Sequence, residues 1–417
     1  MISKRKVRIA INAQLPRDGG SGGTETVLTA LATMARLNAR NEEHVFVGPA
    51  TDTEWLRPWL GPDQEIVPGP PPVVEDSKPE TGERLKRALG PLRAFARTVK
   101  QRFAPTPRTA ESNFYERLGC DVVHFPFQYH ESCRMPTVFN PHDLQHKHFP
   151  SFFDDAEIKR RDEQYAQACR SAFTVVVASH AVKRDLQQFY DIDASKIEVI
   201  PWSPPPMPQE FQPTEESFRS VREKYRLTDE SFALYPAMTW EHKNHLRLLE
   251  ALALLRERDQ KKIRVVCTGQ KKDFWPVIEK QVHALGLESQ ISFLGMVPFS
   301  DLCALYRRAE FAVIPSMFEA ASAPLFEAWQ HDLPVACSRI ESLTEQASDA
   351  AYFFDPLSVS SIADALLLMS TDGAMRGSLK VQGARRLEYF SLERMAEAYG
   401  RVYARAASAY RNIAKNL

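Results

Sequence analysis

Short runs of β-branched and aromatic residues alternate, along this 417-residue chain, with stretches whose apolar positions recur every three or four residues. That alternation predicts parallel strands covered by helices, an α/β architecture. In the first half the strand candidates are Val7 to Ile11, His44 to Val47, Asp121 to Phe125, Thr137 to Asn140 and Phe173 to Ala178. In the second they are Phe232 to Tyr235, Ile263 to Thr268, Ile291 to Leu294, Phe311 to Ile314 and Val335 to Ser338. Between the two sets, Pro201 to Phe211 carries five prolines and can continue neither a central strand nor a helix, so it marks a domain boundary and a hinge. The expected organisation is one Rossmann-like domain over residues 1–203, a second over 204–390 and a helical tail over 391–417.

One amphipathic stretch stands apart. Between Arg84 and Arg108 there are eight lysines or arginines and no acidic residue, and Leu85, Leu89, Leu92, Phe95, Val99 and Phe103 form an apolar stripe despite Pro91. Two readings are open for this insertion over residues 80–110. It is either a basic helix able to lie on an anionic membrane surface or an ordinary helix packed on its domain with its charges solvated.

Composition changes the picture mainly by exclusion. With 44% hydrophobic residues the chain can bury two or three cores, and its 53 basic and 53 acidic side chains give no argument for nucleic acid as a partner. No apolar run approaches the roughly 18 residues that span a bilayer, and the start of the chain enters a strand without a signal-peptide core, so a cytoplasmic location is expected. Cys120, Cys133, Cys169, Cys267, Cys303 and Cys337 are scattered without paired short spacings and are expected to be buried thiols, not a zinc site or a disulfide framework.

Candidate chemistry concentrates where strands give way to helices. Glu319 and Glu327 stand eight residues apart, the first in the loop after Phe311 to Ile314 and the second on a helix expected over Pro324 to Gln330. If most of that stretch is helical it rises about 12 Å, roughly the span from the sugar ring to the ribose of a nucleotide-sugar. One carboxylate could then accept from sugar hydroxyls and the other from ribose hydroxyls, with amides at the helix start facing a diphosphate; two solvated helix glutamates are the plainer alternative. Lys243 opens a helix start after Phe232 to Tyr235, where a cation opposes the helix dipole unless an anion sits nearby, and Asn244 can cap the helix expected from about Leu246. Gly19, Gly20, Gly22 and Gly23, with Thr24 as a candidate N-cap, form either a loop whose backbone approaches a ligand or a mobile surface loop. They do not meet the G-x-G-x-x-G dinucleotide fingerprint. His142 and Asp143 follow a strand, and His142, His146 and His148 cluster tightly enough for metal binding to compete with other roles; no metal is expected.

The run from Phe311 to Phe354, FAVIPSMFEAASAPLFEAWQHDLPVACSRIESLTEQASDAAYFF, resembles the signature of the retaining GT-B glycosyltransferases of family 4, the glycosyltransferase group 1 type. PAMTWEHKNH at Pro236 to His245, VVCTG at Val265 to Gly269, ISFLGMV at Ile291 to Val297 and HDLQHKHFP at His142 to Pro150 extend the likeness over most of the chain. The resemblance implies a GT-B fold, two Rossmann-like domains facing a cleft, with the C-terminal helix crossing back onto the first domain. It implies a nucleotide-sugar donor held by Gly22 and Gly23, Lys243 and Asn244, the amides of Ala321, Ser322 and Ala323, and Glu327. Glu319, His142 and Lys243 would serve catalysis without metal or other cofactor, and the anomeric configuration would be retained.

The chain departs from its relatives in two places. Met238 stands where many carry an arginine five residues before the lysine, so Arg339 or a group from the other domain would supply the second phosphate cation. Glu319-Ala320-Ala321-Ser322-Ala323 replaces a glycine-rich loop, which leaves the sugar open. The implied activity is transfer of a hexose or deoxyhexose, mannose- or rhamnose-like, to a saccharide or lipid-linked saccharide in surface polysaccharide synthesis. A non-catalytic scaffold that binds nucleotide or glycan is the alternative. A GT-B epimerase or phosphorylase would need a different catalytic constellation or a pyridoxal lysine context.

Overall fold

The computed structural model describes residues 5–15, 23–38, 41–49, 55–62, 64–70, 113–205, 214–228 and 230–415. The basic segment 84–108, Gly19, Gly20, Gly22 and most of the proline-rich linker lie outside the described residues.

The first sheet contains β1 (Val7–Asn12), β2 (Glu42–Gly48), β3 (Glu65–Pro68), β4 (Val122–Phe125), β5 (Thr137–Phe139), β6 (Thr174–Val177) and β7 (Ile197–Val199). They lie in the order β3-β2-β1-β4-β5-β6-β7, all parallel. The second contains β8 (Phe232–Pro236), β9 (Arg264–Thr268), β10 (Ile291–Phe293), β11 (Phe311–Ile314), β12 (Val335–Ser338) and β13 (Tyr352–Phe354), ordered β10-β9-β8-β11-β12-β13 and again all parallel. Each is a doubly wound sheet whose strand order reverses beside its first strand, between β1 and β4 and between β8 and β11. The central strands are buried on both faces and read as continuous apolar runs, as in Phe311–Ile314, every residue of which is buried. The strands that the sequence pattern leaves out, β3, β7 and β13, all lie at sheet edges and are partly exposed, so their apolar signal is weak.

Helices that matter to the site are α1 (Gly23–Leu37), α2 (His180–Tyr190), α3 (His245–Arg258), α4 (Phe299–Arg308), α5 (Ala323–Gln330), α6 (Glu341–Ala347) and α7 (Leu392–Lys415). Helix α1 begins at Gly23, so Thr24 lies inside its first turn and not at the cap. Helix α7 buries Met395, Ala396, Tyr399, Val402, Tyr403, Ala406 and Ala407, a stripe at helical spacing, against the first sheet and α1. Two buried tyrosines anchor it. Tyr403 Oη lies 2.8 Å from His124 Nδ1, His124 Nε2 lies 2.8 Å from Asn140 Oδ1, and Asn140 Nδ2 donates to Tyr399 Oη at 3.0 Å. Burial pushes His124 down to about 4, and the neutral ring accepts at Nδ1 while donating from Nε2. Arg411 adds an ion pair to Asp121 at 2.7 Å.

All six cysteines are free; Cys133 is half-buried and the others are buried. Burial pushes the Cys120 thiol up to about 11 and those of Cys133, Cys169 and Cys303 up to about 12, which makes them inert packing groups. Among the described residues no helix is long and apolar enough to cross a membrane.

Candidate active site

In a doubly wound sheet, helices leave adjacent strands on opposite faces where the strand order reverses, and a crevice opens at the carboxyl ends of those strands. In the second sheet that crevice lies between the loops after β8 and β11. The two loops are joined by a backbone bond from Met317 N–H to His242 O at 2.8 Å. Lys243 stands in the first loop and Glu319 in the second, and Lys243 Nζ donates to Glu319 Oε1 at 2.6 Å. The two side chains are only 16% and 11% exposed, so this is a charge-assisted bond in a sheltered site.

Asn244 adopts a left-handed conformation (φ 63°) that bends the chain from the β8 loop into α3, which starts at His245, one residue ahead of the sequence estimate. Its side chain does not cap the helix. The amide donates instead to Pro315 O at 2.9 Å and Pro356 O at 2.8 Å, tying together the loops after β11 and β13, and Arg247 donates to its Oδ1 at 3.1 Å. Asn244 is buried with its side-chain amide occupied by these two carbonyls.

The loop from Pro315 to Ser322 is not helical; α5 starts at Ala323, with Pro324 in its first turn. Only the last four residue steps from Glu319 to Glu327 are therefore helical, and the helical-rise estimate of their separation does not apply. Ser322 N–H is already bonded, donating to Gln346 Oε1 at 2.7 Å, which removes it from the amides open to a phosphate. Those of Ala321 and Ala323 have no partner among the described residues. Glu327 sits on the second turn of α5 and accepts from Tyr306 O–H at 2.6 Å. Burial raises its carboxyl above the ordinary value, while the Tyr306 bond works in the other direction.

Met238 lies in the turn after β8. Gly269, at φ 112°, packs so close to it that a Cβ there would stand 2.8 Å from Met238 N and 2.6 Å from the Ala237 carbonyl, so only glycine fits. The backbone N–H of Lys272 donates to Thr239 Oγ1 at 2.7 Å, and the Arg247 guanidinium lies 3.4 Å from Met317 Sδ in the loop after β11. Arg339 follows β12, and its exposed guanidinium lies over the Phe353 ring at 5.3 Å.

The first sheet supplies the opposing wall. His142, after β5, is held at φ 63° with Trp202 packed edge-on at 5.3 Å. Its Nε2 is 2.8 Å from Pro126 O, and because a carbonyl only accepts, the proton sits on Nε2 and Nδ1 keeps its lone pair. Burial lowers its basicity and keeps the ring neutral. The three clustered histidines diverge. His146 Nε2 meets Asp162 and Tyr190, both at 3.0 Å, and His148 Nε2 meets Asp185 at 2.8 Å. Among the described residues no group of three His, Cys, Asp or Glu side chains is arranged to hold a metal.

Phe318, beside Glu319, packs against His148 at 5.4 Å and Phe149 at 6.1 Å, and Ser179 Oγ donates to Ala320 O at 3.2 Å. Ser179, Ser342, Glu345 and Gln346, which the sequence pattern does not mark, each bond to a backbone group of a segment remote in sequence.

Two like-wound sheets with a site between their carboxyl edges define the GT-B class. Residues 217–386 match the family described as glycosyl transferases group 1, and residues 21–202 match glycosyltransferase family 4. The two matches together cover most of the chain, which belongs to the group 1 glycosyltransferases. It is 27% identical over 287 residues to O-antigen chain mannosyltransferase B of Escherichia coli, covering 65% of this chain and 71% of that protein. Among solved structures, a glycosyltransferase from Rickettsia africae superposes with TM-score 0.66 at 16% identity, over 97% of this chain and 99% of that one. HepE of Anabaena, solved with UDP and glucose, gives 0.65 at 15% identity, over 95% of this chain and 99% of that one. These structural likenesses bear on the fold.

Proposed function

We propose that the protein transfers a hexose or deoxyhexose, mannose- or rhamnose-like, from a nucleoside-diphosphate donor to a saccharide or lipid-linked saccharide, with retention, in the building of a surface polysaccharide. The observation that carries this is the meeting of Lys243 and Glu319 where the second sheet's strand order reverses. A cation and a hydroxyl acceptor stand together at the edge where such sheets bind nucleotides. The named activity of the E. coli mannosyltransferase supports the class of sugar and product.

In this account Lys243 and the amides of Ala321 and Ala323 stabilise the departing diphosphate, Glu319 orients the sugar through its hydroxyls, and Glu327 accepts from the ribose. Arg247, Lys272 or Arg339 supplies the second cation in place of the arginine that Met238 replaces. His142, neutral, offers Nδ1 as an acceptor from the other wall. In this reading no covalent enzyme intermediate forms, and the leaving phosphate takes the proton of the incoming acceptor hydroxyl.

The test is a thermal-shift panel of UDP-, GDP- and dTDP-linked hexoses, followed by product analysis with the best stabiliser. Donor-dependent stabilisation with release of nucleoside diphosphate and a glycosylated acceptor is expected. Stabilisation without any transfer across a panel of acceptors would favour the scaffold role.

A further inference from the structure

The loop that carries Glu319 is gripped from two sides. Gln346, on α6, clamps the Ser322 backbone twice, accepting from its N–H at 2.7 Å and donating from Nε2 to its carbonyl at 2.9 Å. Ser342, four residues earlier and hence on the same face of α6, donates to Glu319 O at 2.5 Å. Arg386 fixes α6 from behind, through the carbonyls of Glu345 at 2.8 Å and Gln346 at 2.9 Å.

The same short helix reaches across to the first domain. Glu345, next to Gln346, accepts from His180 N–H at 2.8 Å and Ala181 N–H at 3.3 Å, and Glu341 pairs with Arg184. His180 and Ala181 are the first two residues of α2, whose N-terminal amides have no partner within the helix. The third amide, of Val182, donates to Ser179 Oγ, and that hydroxyl donates onward to Ala320 O. The start of α2 is thus completed by a carboxylate from the other domain, which also suits the positive end of the helix dipole. Separating the domains strips α2 of that carboxylate and takes Ser179 away from the loop.

We propose that Ser179, Ser342, Glu345 and Gln346 are positioning residues that couple the seating of the first domain to the shape of the Glu319 loop, α6 holding the loop in its transfer-competent form while Glu345 caps α2. This rests on the assignment of that loop to the donor site. Because Glu345 and Gln346 are consecutive on one helix, a displacement of one moves the other, and domain seating and loop geometry become a single variable. Chemistry is then confined to the closed enzyme, where water is excluded.

The experiment is hydrogen–deuterium exchange of the segment 316–324 in the full chain, comparing wild type with Gln346→Met, Glu345→Ala and Glu345→Gln. Gln346→Met is expected to speed exchange of the loop by about tenfold or more, since it frees the Ser322 amide directly. The decisive variant is Glu345→Ala, which leaves Gln346 in place and is expected to approach the same rate. Glu345→Gln, which keeps an accepting oxygen, falls between. Loop exchange at the wild-type rate in Glu345→Ala overturns the coupling, and an unchanged rate in Gln346→Met overturns the clamp.

With the donor selected by the nucleotide-sugar panel, Glu345→Ala should lower kcat by about tenfold with donor KM within about twofold, the signature of a residue that acts after binding. A raised KM at unchanged kcat contradicts this. The donor assignment is tested separately by adding UDP or GDP to the wild type. If neither slows exchange of the loop, that assignment fails, while the Glu345→Ala comparison still decides the coupling.

Discussion

Lys243 and Glu319, 76 residues apart in sequence, are bonded at 2.6 Å across the crevice of the second sheet. The pair neutralises both groups that the proposed reaction needs, so a donor must compete with Glu319 for the ammonium. Glu319→Gln is therefore expected to bind UDP or GDP about three- to tenfold more tightly, since it frees Lys243 and removes a negative charge facing the diphosphate. The same variant should lose about a hundredfold in turnover. Lys243→Ala should weaken nucleotide binding by roughly 2 kcal/mol, about thirtyfold. Calorimetric titration of the three proteins checks both signs.

Glu327 provides a test in which stability and binding move oppositely. Its carboxyl is raised by burial, so the folded state holds the proton more firmly than the unfolded chain does. The corresponding stability is present below the usual carboxylate range and is lost as pH rises through the raised value. Glu327→Gln is expected to raise Tm at pH 7, with the gain shrinking as pH falls through the raised value and gone below about 4.5, and at the same time to weaken nucleotide binding. Melting curves at pH 7 and pH 4 with a nucleotide titration distinguish this from a simple packing effect.

Acid should destabilise the fold through its histidines. Burial lowers His124, His130 and His331 to about 4 and His245 to about 3, below the ordinary 6.5. These groups contribute stability above pH 6.5 that is lost as pH falls toward their folded values, because the unfolded chain binds protons that the folded chain refuses. Each such histidine removes about 1.4 kcal/mol per pH unit over that window. His148, raised by its bond to Asp185, works in the other direction. Denaturant midpoints are expected to drop steeply between pH 6.5 and 5; a flat profile would show the rings to be solvated.

The C-terminal helix makes a separate prediction. Tyr403→Phe removes the donor to His124 Nδ1 inside a buried chain of side-chain bonds. A loss of about 1–3 kcal/mol is expected from the stranded acceptor, with nucleotide affinity unchanged because α7 packs on the other domain. Urea unfolding and a nucleotide titration measure the two effects independently.

Much of this architecture was legible in the residues, and the parts that were not share a cause. Phe311–Ile314 and Val335–Ser338 are recognisable because central strands buried on both faces are apolar at every position. Strands β3, β7 and β13 are short, partly exposed edges and leave little trace. At the site, Lys243 and Glu319 could each be singled out in advance because both follow central strands of one sheet, whereas the bond between them could not. The fate of the Asn244 amide, the occupied Ser322 N–H and the roles of Glu345 and Gln346 could not. Periodicity reports which face is buried, whereas these residues are defined by backbone groups of segments remote in sequence.

The measurement that bears most directly on the central claim is a crystal structure with the nucleotide-sugar selected by the panel. The account requires a diphosphate oxygen within hydrogen-bond distance of Lys243 Nζ, with Glu319 released to the sugar hydroxyls and Glu327 at the ribose. A bound nucleotide lying elsewhere, with the Lys243–Glu319 bond intact, would contradict it.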